Sequence, residues 1–149
     1  MRVADKPVLI VDNLRTMTTV MSRIVQELGY SDIDTAHSGA EALHKLRSRQ
    51  FGIVLCELEM HPINGLELAF LIRQNPTTRK IVIIVTTGNR EILGRALNTG
   101  QFKLVDAYLI KPFTAEQLST RLKDVTRKTR DPKHLRRMML ASQREMTGG

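Results

Sequence analysis

Phe51-Gly52-Ile53-Val54-Leu55-Cys56-Glu57-Leu58-Glu59-Met60-His61-Pro62-Ile63-Asn64-Gly65 is the stretch whose reading decides the fold. Ile53 to Leu55 is a short apolar run, the kind that forms a strand buried on both faces. Glu57 and Glu59 stand at its carboxyl end. A loop containing Pro and Gly follows, with Asn64-Gly65 as a turn signal. An apolar-periodic helix then runs from about Leu66 to Arg73 and is ended by Asn75-Pro76. In an open parallel α/β sheet, ligands and chemistry collect outside the carboxyl ends of the strands. Strand position alone therefore puts the Glu57 carboxylate at a candidate site.

The same pattern repeats on both sides. Val8-Leu9-Ile10-Val11 reads as the first strand, with Asp12 and Asn13 at its end. Arg15 to Leu28 reads as a helix with Met17, Val20, Met21, Ile24, Val25 and Leu28 on its apolar side, stopped by Gly29. Ile33 to Ala36 is a short second strand. Ser38 is placed to cap a helix from Gly39 to Leu46. Ile81 to Val85 reads as the fourth strand, with Thr86, Thr87 and Gly88 beyond it. A helix from Arg90 to Asn98 follows. Ala107 to Ile110 reads as the fifth strand, leading into Lys111-Pro112-Phe113. Thr114 and Gln117 form a capping-box pattern for the last helix. Five strands alternating with five helices argue for a parallel sheet covered on both faces. The strand ends bring Asp12, Asn13, Glu57, Thr87 and Lys111 to one edge. Such a set of oxygens and one amine can hold a cation and a phosphoryl group.

Composition narrows the class. A chain of 149 residues suits one domain with an extension. Its one cysteine, Cys56, excludes an internal disulfide framework and a cysteine-based zinc cluster, and reads as a small core hydrophobe. No apolar run approaches membrane-spanning length, and the N-terminal residues lack a signal-peptide core, so a cytoplasmic protein is expected. The net charge is +8, with nine Lys/Arg against three acids in residues 121–149. That segment carries about +6, leaving about +2 for the first 120 residues.

These residues resemble the receiver domain of two-component response regulators, the CheY-like fold. The resemblance covers roughly residues 6–126. It rests on Val-Leu-Ile-Val-Asp12, the Glu57…Met60…Gly65 stretch, Thr87-Gly88, and Tyr108-Leu-Ile-Lys111-Pro112-Phe113. It implies a flavodoxin-like, doubly wound five-stranded (βα)5 sheet, with domain limits 1–126 and a basic C-terminal helical extension at 127–149. It also implies a phosphoacceptor position at Glu57, switch positions at Thr87, Tyr108 and Lys111, and Mg²⁺ near Asp12, Asn13 and Glu57. Tyr108 matches the aromatic that in receivers moves between exposed and buried.

The chain departs from the family at the chemistry. Receivers carry an acidic pair after strand one, where this chain has Asp12-Asn13. Their acceptor is an aspartate, where this chain has Glu57. His61 follows Met60, and Pro62 comes one residue late. The extra methylene moves the carboxylate by roughly 1.5 Å, a scale on which in-line attack fails. The charge lost at Asn13 weakens the Mg²⁺ site or abolishes it. The expectation is a single-domain atypical response regulator, not an enzyme, that works as an adaptor independently of aspartate phosphorylation. Glu57 then either mimics a phospho-aspartate by reaching toward Thr87 and Lys111, or is half of a structural ion pair with Asp12 and Lys111. Retained phosphorylation on Glu57 is a third reading. Glu59 and His61 read as exposed loop residues.

The resemblance places the protein partner on the face of helix four, strand five and helix five, centred on Tyr108 and Lys111, where a homodimer can also form. The extension reads as a short basic amphipathic helix carrying Leu135, Met138, Met139 and Met146. It is too small for a DNA-binding domain. Arg127, Arg130, Arg136 and Arg137 loosely resemble the arginine-rich extensions of CheY-like cyclic di-GMP effectors that act on the flagellar motor. A cyclic dinucleotide effector is thus the alternative reading, beside a docking helix and a solvated tail.

Overall fold

The computed structural model describes residues 6–98 and 100–127. Its elements in chain order are β1 (Val8–Val11), α1 (Arg15–Glu27), β2 (Ile33–Ala36), α2 (Gly39–Ser48), β3 (Ile53–Glu57), α3 (Gly65–Gln74), β4 (Val82–Thr87), α4 (Arg90–Leu97), β5 (Ala107–Ile110) and α5 (Ala115–Arg127). The strands form one parallel sheet in the order β2-β1-β3-β4-β5. This is the doubly wound, flavodoxin-like architecture expected from the alternation of elements.

The pleat divides the core into two layers, because successive side chains in a strand point to opposite faces. Leu9, Val11, Val54, Cys56, Ile83, Val85 and Tyr108 pack with α2, α3 and α4 residues such as Leu46, Ala69 and Leu93. Val8, Ile10, Ile53, Leu55, Ile84, Ala107 and Leu109 pack with Met21 and Val25 of α1 and Leu118, Leu122 and Val125 of α5. The near-continuous apolar strands are what a sheet covered on both faces requires.

Local chemistry sets the helix ends. Ser38 caps α2 by accepting from Glu41 N, and Thr114 and Gln117 bond each other's backbone N–H at the start of α5. Asn64 is more than a turn residue. Its side chain accepts from Glu67 N at 2.8 Å while Glu67 accepts from Asn64 N, a full capping box for α3. Gly65 follows because α3 starts against the end of β3. A Cβ there would stand 2.5 Å from the Glu57 carbonyl oxygen.

α1 departs from its expected apolar side. Met21 and Val25 are buried and Met17, Ile24 and Leu28 pack partly against the core, but Val20 is 48 % exposed. Thr18 is buried instead, its hydroxyl bonding Arg15 O and lying 3.3 Å from His37 Nε2. A hydroxyl satisfied within its own helix can be buried cheaply. No described helix is long and apolar enough to cross a membrane. The extension read at 127–149 lies outside the described residues except for the backbone of Arg127, and so do the candidate contacts Arg130, Arg136 and Arg137.

One buried ion pair ties the far side of the fold together. Arg73 of α3 bonds Asp106 Oδ2 at 3.0 Å and the carbonyls of Leu104, Arg79 and Ile81, and the same Asp106 oxygen accepts from Ile83 N. Removing one partner of such a pair strands the other charge in the core. Arg73→Met is expected to cost about 3–5 kcal/mol of unfolding free energy in urea titration. A loss under about 1 kcal/mol would mean that Asp106 is satisfied without Arg73.

Candidate functional site

The order of the sheet reverses between β1 and β3, and a crevice forms at such a switch point. Asp12 follows β1 and Glu57 ends β3, so both carboxylates flank it. Lys111 follows β5. Its Nζ lies 2.8 Å from Asp12 Oδ2 and 3.4 Å from Glu57 Oε1. The three side chains continue the pleat parity of Ile10, Leu55 and Leu109, and so share the α1–α5 side of the sheet. The remaining carboxylate oxygens are engaged by backbone: Asp12 Oδ1 accepts from Leu14 N at 2.9 Å and Glu57 Oε2 from Leu58 N at 3.1 Å.

Thr87 does not join this group. It shares parity with Ile83 and Val85, and its hydroxyl accepts from Asn89 N at 3.0 Å, turning the chain into α4. The hydroxyl on the site's side is one residue earlier. Thr86 is registered directly opposite Glu57, follows Ile84 in parity, is 0 % exposed, and bonds no group of the described structure. The sequence alone does not choose between the two threonines. Counting twos from Ile84 leads to Thr86, once β4 is paired with β3 in this register. What Thr87 does fix is Lys111, whose backbone N donates to the Thr87 carbonyl at 2.8 Å.

Tyr108 is 2 % exposed and packs in the layer with Leu93, Ala96 and Leu97 of α4. Burial pushes its phenol pKa up. It is therefore not a surface aromatic, and the α4–β5–α5 face is not centred on its ring in this conformation. Its carbonyl accepts from the buried Arg121 Nε of α5 at 3.2 Å. Asn13, Glu59 and His61 are exposed. Cys56 packs as a small hydrophobe, its buried thiol pushed up to about 12.

One ammonium serves two carboxylates, and that imbalance sets the electrostatics. A pair of unit charges at 4 Å is worth about 4 kcal/mol at an effective dielectric of 20. Desolvating each ion costs a comparable amount. Lys111 sits closer to Asp12 than to Glu57, so Glu57 is left less compensated. Burial pushes the Glu57 carboxyl up to about 7, with the Lys111 ammonium opposing and the Asp12 charge adding to the rise. The residues expected to hold a cation are Asp12, Asn13 and Glu57. Both Asp12 oxygens are already engaged, Asn13 offers no charge, and the described residues contain no group of three His, Cys, Asp or Glu side chains arranged for a metal.

Comparison with known proteins identifies the family and the fold. A family model of the response regulator receiver domain matches residues 8–123. The chain is 32 % identical over 121 residues to the chemotaxis protein CheY1 of Helicobacter pylori, covering 78 % of this chain and 94 % of that one. It resembles the solved chemotaxis response regulator CheY4 of Vibrio cholerae, with TM-score 0.68, 26 % identity and coverage of 81 % and 98 %. The receiver domain of a Pseudomonas aeruginosa sensor histidine kinase, solved with a magnesium ion in its active-site cleft, shares the fold at 23 % identity and TM-score 0.68, over 80 % of this chain and 95 % of that one.

The Glu57 titration gives a stability signature. With a carboxyl near 7 in the folded chain and near 4.5 for an unperturbed glutamate, the native chain binds more protons than the unfolded chain between those values. Unfolding free energy therefore falls as pH rises from about 4.5 to about 7. Glu57→Gln is expected to flatten that slope and to raise the melting temperature at about pH 8 relative to the native chain. Identical pH profiles for the two proteins would remove Glu57 as the titrating group.

Proposed function

The chain belongs to the response regulator receiver domain family, and from that premise we propose that it is an atypical receiver that signals by protein contact without phosphorylation at its acceptor position. Members of such a family act as signalling modules, and a chemotaxis role is the reading that the CheY-named relatives favour. The observation that carries the proposal is the direct contact of Glu57 with Lys111 at 3.4 Å. The longer acid already meets the lysine that would otherwise compensate a phosphoryl group. It is a partial mimic, because Glu57 reaches Lys111 while the Thr86 hydroxyl stays out of the contact.

Two further features support the reading. Asn13 and the engaged oxygens of Asp12 leave a donor set poor in charge for Mg²⁺, which asks for near-ideal oxygen geometry. Were the ion bound, Asp12, Asn13 and Glu57 would hold it, and it would neutralise phosphoryl oxygens. Tyr108 is already buried, one of the two positions between which the family aromatic moves. A partner would read the α4–β5–α5 face in the conformation with Tyr108 buried.

Acetyl phosphate with Mg²⁺ is expected to leave the native chain's intact mass unchanged, while the double variant Glu57→Asp/Asn13→Asp gains a phosphoryl increment. In a Tyr30→Phe background, Tyr108 is the only tyrosine, and with no tryptophan in the chain its emission is read without interference. Glu57→Asp is there expected to raise Tyr108 exposure to an added quencher. A phosphoryl adduct mapped to Glu57 in the native chain would overturn the proposal.

A further inference from the structure

The opposite edge of the sheet carries a second concentration of charge. A cleft of about 790 Å³ opens there, lined by residues leading into β1, β3 and β4 and by the end of α2. This lies within the roughly 300–1,000 Å³ typical of small-molecule sites. Lys6, Arg47, Arg49 and Lys80 line it, and among the described residues no aspartate or glutamate does. The contrast is local, because the first 120 residues together carry only about +2.

Helix dipoles do not account for these cations. Positive side chains favour helix C-termini, and α2 ends here with Arg47 in its last turn. Each helix end supplies only about half a negative charge. The end of α3 lies just before Thr77 and Thr78, which also line the cleft. Two helix ends then offset about one positive charge. Asp32 offsets another through Arg49, with Nη2 to Oδ2 at 2.6 Å. Among the described residues, roughly two of the four positive charges remain uncompensated.

Two of the cations are also held in place. The Arg49 guanidinium lies 4.9 Å from the centroid of the buried Phe51 ring. Stacking of this kind restricts the guanidinium, whose Nη2 is engaged by Asp32 while its other donors remain toward the cleft. The Lys6 stem runs so close over Gly52 that a Cβ there would stand 2.6 Å from it. Arginine forks bind two phosphate oxygens at once, while lysines add point charges.

We propose that this cleft binds a small phosphate-bearing molecule of nucleotide size with two or more negative charges, at the end of the sheet remote from Glu57. The test is an NMR titration of the ¹⁵N-labelled full chain at moderate salt, with inorganic pyrophosphate and separately with adenosine diphosphate. Saturable amide shifts centred on residues 47–52 and 78–81 are expected with either probe. Equal affinities would identify the phosphates as the recognised group, and tighter adenosine diphosphate would add the base; both support the site. Arg47→Gln/Lys80→Gln alters two exposed side chains and should melt like the native chain. It is expected to bind about tenfold more weakly per cation removed. Shifts centred on residues 127–149, shifts that never saturate, or affinity unchanged in the double variant would each overturn the proposal. Should that variant fold poorly, Lys6→Gln provides the same readout through a single cation.

Discussion

The site depends on one amine placed between two acids. Lys111 comes from β5, Asp12 from β1 and Glu57 from β3, so the contact joins three strands at the carboxyl edge of the sheet. Its position is set by backbone: Lys111 N donates to Thr87 O, and the Thr114–Gln117 box starts α5 directly afterwards. Neither acid could be buried this deeply without it, since a bare carboxylate in the interior would take up a proton instead. One ammonium cannot compensate both, and the 3.4 Å contact is the looser of the two. The lysine thus holds both acids at the site, and Glu57, the less compensated of the two, is the one whose carboxyl burial pushes up to about 7.

That balance gives physical meaning to the glutamate. An aspartate, shorter by a methylene, would hold its carboxylate back toward the strand and leave space in front of Lys111. Glutamate fills part of that space. It does so from the end of β3, where Gly65 lets α3 approach within contact of the Glu57 carbonyl, so the side chain has little backbone freedom to retreat. The Asn64–Glu67 box pins the same junction. Loop chemistry, strand register and the acid's length thus converge on one contact.

The buried strands were legible because parallel strands covered on both faces need uninterrupted apolar runs, and β1 and β5 begin and end where their runs do. Lys111 and Asp12 were legible because strand ends in this topology meet at one edge. The hydroxyl was not. Thr86 and Thr87 are adjacent, and which one faces Glu57 depends on how β4 is registered against β3, a property of the pairing and not of either segment. Val20 failed for a related reason: helical periodicity admits it, but Thr18 satisfies its own hydroxyl and takes the buried place. The Arg73–Asp106 pair spans 33 residues, and no local pattern announces it. The Asn64–Glu67 signal lay in the sequence but was masked by the Asn-Gly turn beside it.

The two charged ends of the sheet are linked by β3, which starts just after Phe51 and Gly52 and ends in Glu57. Five residues of strand span about 16 Å. That is about two Debye lengths at physiological salt, and Arg47 and Lys80 face solvent, so their field at Glu57 is largely screened. Communication between the ends would have to be mechanical. The core residues of β3 are almost wholly buried between two close-packed layers, and such a strand transmits a displacement instead of absorbing it. A shift along β3 would fall first on its weakest polar contact at the far end. Asp12 and Lys111 are held at 2.8 Å, Glu57 and Lys111 only at 3.4 Å, so the contact that distinguishes this receiver is also the one most exposed to movement of the strand that carries it.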